Sequence, residues 1–263
     1  MRAYKKRGYH GVCIMGPPGS GKSTLADTLA QVVESCGQAC LHINLDPAII
    51  TPLVDIDIRT LAALDEVQEL TGLGPNGGLI YALEFLYMNS DWLLNEIDDA
   101  ILKRRKDDGF TNDPFLIIDL PGQVECYIAH TGLSHFLEDL VFVQGINLCT
   151  LFTLDCRYLL DPRLYLSTSL SVTAQQVSIP TPAIQVLTKS DLLTETEAQE
   201  LENVLDQDSL EEYMAIQGVD DKFHLNIARV IGNTLSLPPL PISAYHPASL
   251  ELLLHEIHRL LGV

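Results

Sequence analysis

The chain has 263 residues, 47% of them hydrophobic and 19% charged, with 35 acidic against 16 basic side chains and a formal charge of −19. This length and apolar content suffice for a sizeable core in one large α/β domain or two small ones. So acidic a surface repels phosphate backbones and anionic lipid, which argues against direct nucleic-acid or membrane binding and leaves solubility or recognition of a basic partner.

The six cysteines, Cys13, Cys36, Cys40, Cys126, Cys149 and Cys156, have no CxxC spacing, and several lie inside apolar runs. They are expected to be core thiols in a reducing compartment rather than disulfides or zinc ligands. The basic start, MRAYKKRGYH, lacks the apolar stretch of a signal peptide. No run approaches the ~18 apolar residues of a membrane span. A soluble, intracellular protein is expected.

In chain order, the first candidate strand is YHGVCIM, 9–15, and GPPGSGKST follows it directly. That stretch matches GxxxxGK[ST] through Gly16, Gly21, Lys22 and Ser23. A loop of inward N–H groups at a helix N-terminus suits phosphate oxygens, so Gly19, Ser20, Gly21, Lys22, Ser23 and Thr24 are the expected phosphate contacts. Lys22 is expected to reach the β/γ-phosphates and Ser23 to bind Mg²⁺. The helix that follows has Leu25, Leu29, Val32, Val33 and Cys36 on one face, and Gly37 stops it.

The second candidate strand, ACLHINL (39–45), leads into Asp46. From about 50 to 110 no strand signal is found. Here a Gly-Pro-Asn-Gly-Gly turn (74–78) precedes an apolar helix, Gly78–Met88, and a second helix, Asp91–Leu102, opens with Asn-Ser-Asp. The basic run KRRK, 103–106, reads as a solvated helix end. The third strand, PFLIIDL (114–120), ends in DLPGQVE. Asp119 is expected to hold Mg²⁺, Pro121-Gly122 to let the backbone approach a γ-phosphate, and Gln123 and Glu125 to orient a water.

Strands at 147–154 and 183–188 follow, the latter ending in Thr188-Lys189-Ser190-Asp191. This is the guanine-reading pattern. Asp191 accepts from N1–H and the 2-amino group, which adenine does not offer, and mismatches of this kind reach ~10⁴–10⁵ in selectivity. The Lys189 stem is expected to pack over the base. Alone, the tetrapeptide is also a common helix-start turn. A Glu- and Asp-rich helical stretch fills 194–235, and a last strand, 239–243, leads into Ser243-Ala244-Tyr245, expected to offer a backbone N–H to guanine O6.

Continuous apolar runs, rather than alternating ones, imply parallel strands buried on both faces. The expected fold is a doubly wound, mostly parallel α/β sheet, one domain carrying helical insertions at 50–110 and 194–235.

The ordered set of P-loop, DLPGQ, TKSD and Ser-Ala, with Gly74-Pro75-Asn76 between the first two, resembles the GPN-loop GTPases. The stretches NLDPA (44–48), DIR (57–59), LGPNGGLIYALEFL (73–86) and SDW (90–92) carry the same resemblance, which spans nearly the whole chain. It implies a SIMIBI-type P-loop fold, GTP or GDP with Mg²⁺, and a homodimer, or a heterodimer with a related chain. It also implies that Asn76 of one subunit acts in the other's site, while Asp46, Gln123 and Glu125 organise water and metal. Asp46 joins Ser23 and Asp119 in the implied metal set. For eukaryotic members it implies a protein client, RNA polymerase assembly and import, and a cytoplasmic protein that shuttles to the nucleus. Arg59 reads equally as a switch residue or a surface ion-pair partner. A non-catalytic nucleotide-binding assembly chaperone and a P-loop kinase of a small acceptor are the alternatives. The TKSD and Ser-Ala motifs argue against the kinase.

Overall fold

The computed structural model describes residues 8–51, 54–107, 109, 111–123, 126, 132–206, 210–219, 221–234 and 239–263. The apolar runs form strands β1 (His10–Met15), β2 (Cys40–Asn44), β3 (Ile56–Asp57), β4 (Phe115–Asp119), β5 (Asn147–Asp155), β6 (Ala183–Thr188) and β7 (Leu240–Pro241). They lie in one sheet in the order β3-β2-β4-β1-β5-β6-β7, every pair parallel. The described helices are α1 (Lys22–Ser35), α2 (Leu64–Thr71), α3 (Pro75–Met88), α4 (Ser90–Asp107), α5 (Gly132–Glu138), α6 (Pro162–Val177), α7 (Glu195–Leu205), α8 (Leu210–Ile216), α9 (Lys222–Thr234) and α10 (Pro247–Leu261).

Successive side chains of a strand leave on opposite faces, so a sheet covered on both sides needs every position apolar. Val12 and Ile14 of β1 join Leu25, Leu29 and Val33 of α1 and Leu253 and Ile257 of α10 in one core. Cys13 and Met15 face the other core, with Leu83 and Leu86 of α3, Ile97 of α4 and Phe136 of α5. β1 stands between β4 and β5, so the first crossover leaves to one side and later ones to the other. That reversal opens a crevice at the carboxyl ends of the strands, where doubly wound sheets bind ligands.

Four expectations need correcting. The segment 50–110 does hold a strand, β3, whose two residues pair with Ile43 and Asn44; a strand that short leaves no periodicity to read. The last strand spans Leu240–Pro241 rather than five residues. The Gly-Pro-Asn turn is the helix start itself: Gly74 is the N-cap and Pro75 takes the first helical position, which suits a residue with fixed φ and no N–H. Cys36 is exposed, because α1 ends at Ser35 and Cys36 serves as its C-cap; the other five thiols are buried. Among the described helices none is long and apolar enough to cross a membrane.

Candidate functional site

The phosphate-binding loop is held from below by its neighbours. The chain leaves β1 at Met15 and turns so that Ser20 N–H donates to the Pro17 carbonyl at 3.1 Å. The Ser20 and Thr153 hydroxyls share a hydrogen bond of 2.7 Å, and Thr153 Oγ1 donates to the Met15 carbonyl at 3.0 Å. Gly16 has φ 151° and lies where a Cβ would run into the Thr153 carbonyl, so glycine is required there. From β6, Thr188 Oγ1 donates to the carbonyls of Ser20 (2.6 Å) and Leu154 (3.0 Å). Lys189 then takes a left-handed φ of 63°, alone among the described non-glycine residues. Its Nζ reaches the Gly19 carbonyl at 2.6 Å and Asp155 Oδ2 at 3.0 Å.

Above this loop is a cavity of about 490 Å³, within the size range of ligand pockets. Gly19, Gly21, Lys22, Ser23 and Thr24 form its floor, with Asp46, Ala48 and Ile49 after β2, Gly122 and Gln123 after β4, Lys189 after β6, and Leu79 from α3. Gly122 passes close to the loop: a Cβ there would lie 2.7 Å from Lys22 Nζ and 3.1 Å from the Pro18 nitrogen.

Beneath the floor, Ser23 Oγ donates to Asp119 Oδ2 at 2.7 Å, while Asp119 Oδ1 is buried without a hydrogen-bond partner. Burial pushes the Asp119 carboxyl up to about 6, against the Ser23 hydrogen bond and the Lys22 charge, which pull it down. Burial also raises Asp46, opposed by the Ala48 N–H and Lys22, and lowers Lys22, opposed by Asp119 and Asp46. The Asp46 loop is fixed by its own polar groups: Asp46 Oδ1 accepts from Ala48 N–H at 2.9 Å, and Asn44 Oδ1 accepts from Asp46 N–H at 3.0 Å.

These groups fit Mg²⁺. A hydroxyl and a carboxylate with one unused buried oxygen are hard donors, and Mg²⁺ characteristically takes one or two carboxylates and completes its octahedron with water and phosphate. Among the described residues no group of three or more His, Cys, Asp or Glu side chains forms an all-protein metal site.

The structure thus brings the phosphate-loop residues, Asp46, Asp119, Gln123 and Lys189 into one place. Glu125 lies outside the described residues. Gly74, Pro75 and Asn76 are exposed at the start of α3 and do not line the cavity of their own chain, although Leu79, one turn on, does. Asp191 is exposed on a 3₁₀ turn and is not part of the cavity wall. That turn is nevertheless joined to the Ser-Ala segment, because Ser190 N–H donates to the Ile242 carbonyl at 3.2 Å. Ser243 N–H is engaged by Ser249 Oγ, and Tyr245 N–H by Ser243 Oγ, both at 3.2 Å. Within that motif the Ala244 N–H is therefore the donor without an in-chain acceptor among the described residues. Arg59 donates its backbone N–H to Asp57 Oδ1, and no ion pair of its side chain occurs among the described residues.

Thr153 and Asp155 were not expected from sequence. Asp155 carried the same signal as Asp119, an acid closing an apolar strand beside β1. Thr153 carried none, because a β-branched residue inside an apolar run reads as strand filler.

Comparison with known proteins agrees with this geometry. Residues 14–262 match the family model described as "Conserved hypothetical ATP binding protein". A GPN-loop GTPase 3 from Dictyostelium discoideum is 35% identical over 259 residues, covering 95% of this chain and 86% of that one. The Saccharomyces cerevisiae GPN-loop GTPase 3 is 34% identical over 256 residues, covering 94% and 90%. Among solved structures, a GTPase in apo form from Pyrococcus abyssi has a TM-score of 0.70 at 21% identity, covering 95% and 97%, and so shares the fold. With a P-loop, a Gly-Pro-Asn helix start and a strand-end aspartate following one another along the sequence, the chain belongs to the GPN-loop GTPase family.

Proposed function

We infer that the chain binds GTP with Mg²⁺ and hydrolyses its β–γ phosphoanhydride, working as a dimeric switch. The observation that carries this is the Ser23–Asp119 hydrogen bond of 2.7 Å, beneath a cavity whose floor is the Lys22 loop and whose wall holds Asp46 and Gln123. Ser23 and Asp119 would hold Mg²⁺, which when bound neutralises charge on the phosphate oxygens. The loop N–H groups and Lys22 would bind the phosphates, and a desolvated Lys22 ammonium acts more strongly there than it would in water. Asp46 and Gln123 would hydrogen-bond the attacking water and keep it in line with the scissile bond.

Asn76 sits at an exposed helix start outside its own chain's cavity, which favours a role in the site of a second subunit. A client protein, a role in RNA polymerase assembly, and residence in the cytoplasm with passage to the nucleus complete the proposal; these rest on the family resemblance alone.

One observation favours a second reading. The matching family model is described by ATP, and Asp191 lies outside the cavity wall, so adenine recognition is the competing case. Calorimetric titration with GTP, ATP and xanthosine triphosphate decides between them. The GTP reading predicts GTP binding, little ATP binding, strong loss in Lys22→Ala, and a shift towards the xanthine nucleotide in Asp191→Asn. Equal affinity for ATP and GTP, unchanged by Asp191→Asn, would remove the guanine assignment.

A further inference from the structure

β5 ends at Asp155, whose register partner in β6 is Thr188, the residue before Lys189. Asp155 divides its carboxylate between two tasks. Oδ1 accepts from Arg157 N–H at 3.0 Å and caps the short 3₁₀ helix Cys156–Leu160. Oδ2 accepts from Lys189 Nζ at 3.0 Å, and the same ammonium donates to the Gly19 carbonyl of the phosphate loop at 2.6 Å. The Arg157 guanidinium donates to the Leu192 carbonyl at 2.8 Å. The turn after β5 therefore grips the Ser190–Leu192 turn at both ends.

A lysine beside a triphosphate site has a strong electrostatic alternative to these bonds. Its flexible stem lets the ammonium follow the largest negative charge in reach, and in a nucleotide cavity that is the phosphate chain. Asp155 supplies a fixed counter-charge that opposes this. The Lys189 side chain is 33% exposed and lines the cavity, whereas Asp155 is 16% exposed and does not. Lys189 also holds a left-handed φ of 63°, which persists in a non-glycine residue only where the surroundings impose it. Two hydrogen bonds at the far end of its side chain do so here.

We propose that Asp155 is a positioning residue for the nucleoside end of the ligand, pinning the Lys189 ammonium on the Gly19 carbonyl so that the lysine's methylene stem, not its charge, faces the base. This rests on the nucleotide-binding reading above. Long basic side chains commonly lay their methylenes on apolar surface while the charge is held elsewhere, and the face of a base is such a surface. Asp155 acts through Lys189 alone. Its loss therefore has opposite consequences for two kinds of ligand: the base loses its platform, while the phosphates gain a lysine free to swing towards them.

The test compares GTP, GDP and inorganic tripolyphosphate, each with Mg²⁺, by calorimetric titration of the full chain and its Asp155→Asn variant. Asparagine is a good helix cap, so the variant keeps the bond to Arg157 N–H and removes the charge. GTP and GDP should weaken roughly three- to tenfold, the size of one partly buried ion pair. Tripolyphosphate should bind as before or more tightly. Equal weakening of all three would mark a distorted phosphate loop and overturn the proposal. Unchanged GTP and GDP affinity, or uniform tightening from the lost negative charge, would overturn it too. Lys189→Met keeps an unbranched apolar stem without the ammonium, and in that background Asp155→Asn should change nucleotide affinity by less than about twofold. A full-sized effect there would reduce Asp155 to a structural part. Where Asp155→Asn does not fold, Asp155→Ser, also a good cap, takes its place. Failure of the GTP reading looks different: a parent chain that prefers ATP loses the guanine assignment, and the Asp155 effect is then read on ATP. A parent chain that binds tripolyphosphate as tightly as either nucleotide has no base site, which overturns both.

Discussion

Burying a carboxylate under a phosphate loop costs stability, and Asp119 shows how much. Its pKa is raised from an unfolded value of about 3.9 to about 6, so the native chain holds this proton more tightly than the unfolded chain does. The group therefore costs nothing below about pH 4, its cost grows between pH 4 and 6, and above pH 6 it is fully present. Two pKa units correspond to about 3 kcal/mol. Asp119→Asn should accordingly stabilise the nucleotide-free protein in EDTA by up to about 3 kcal/mol at pH 7.5, with the gain shrinking towards zero near pH 4. Urea denaturation of both proteins at the two pH values measures this. A variant less stable than the parent at pH 7.5 would show that the Ser23 contact outweighs desolvation. The same variant should lose Mg²⁺-dependent turnover, because the strain is kept for function.

Among elements, the coupling that matters is between β5, β6 and the phosphate loop. Thr188 Oγ1 reaches the Ser20 and Leu154 carbonyls from β6, and Thr153 reaches Ser20 and Met15 from β5. The segment that follows β6 and the phosphate loop are therefore tied directly to each other by hydrogen bonds. Thr188→Val keeps the shape and removes the one hydroxyl hydrogen that the Ser20 and Leu154 carbonyls compete for, which should cost about 1–3 kcal/mol. It should also weaken triphosphate binding although Thr188 does not line the cavity. Thermal unfolding and nucleotide titration check both parts; normal affinity in a destabilised variant would separate the lock from the site.

These locks also mark how far the sequence could be read. The phosphate loop was legible because its chemistry is local: glycines, a lysine and a hydroxyl at fixed spacing between a strand and a helix. The placement of Asp119 and Gln123 was legible because they close the strand beside that loop, and the structure puts Asp119 on Ser23 and Gln123 in the cavity wall. Thr153 was not, since the contact that gives it meaning joins residues 133 positions apart. β3 was missed because two residues in a partly polar stretch derive their strand geometry from β2. The Gly-Pro-Asn stretch was read as a turn because glycine and proline punctuate both loops and helix starts, and only the Gly78 N–H bond to the Gly74 carbonyl at 2.8 Å decides between them.

At the scale of the whole molecule, the exposed start of α3 is the feature that one chain leaves unexplained. Leu79 reaches the cavity wall, whereas Asn76, three residues earlier, faces out. Around this helix start, Ile49, Ile50, Leu70 and Leu73 are also exposed. An apolar surface beside a nucleotide site suits a second subunit, and a group donated across that interface would stabilise charge only once the dimer has formed. GTP and ATP hydrolysis with Mg²⁺, measured over a range of protein concentrations with sedimentation on the same samples, tests this directly. The account predicts GTP-selective turnover per chain that rises as a dimer forms, and an Asn76→Ala variant that binds GTP normally yet turns it over slowly. Turnover independent of concentration in a persistent monomer, unaltered by Asn76→Ala, would contradict it.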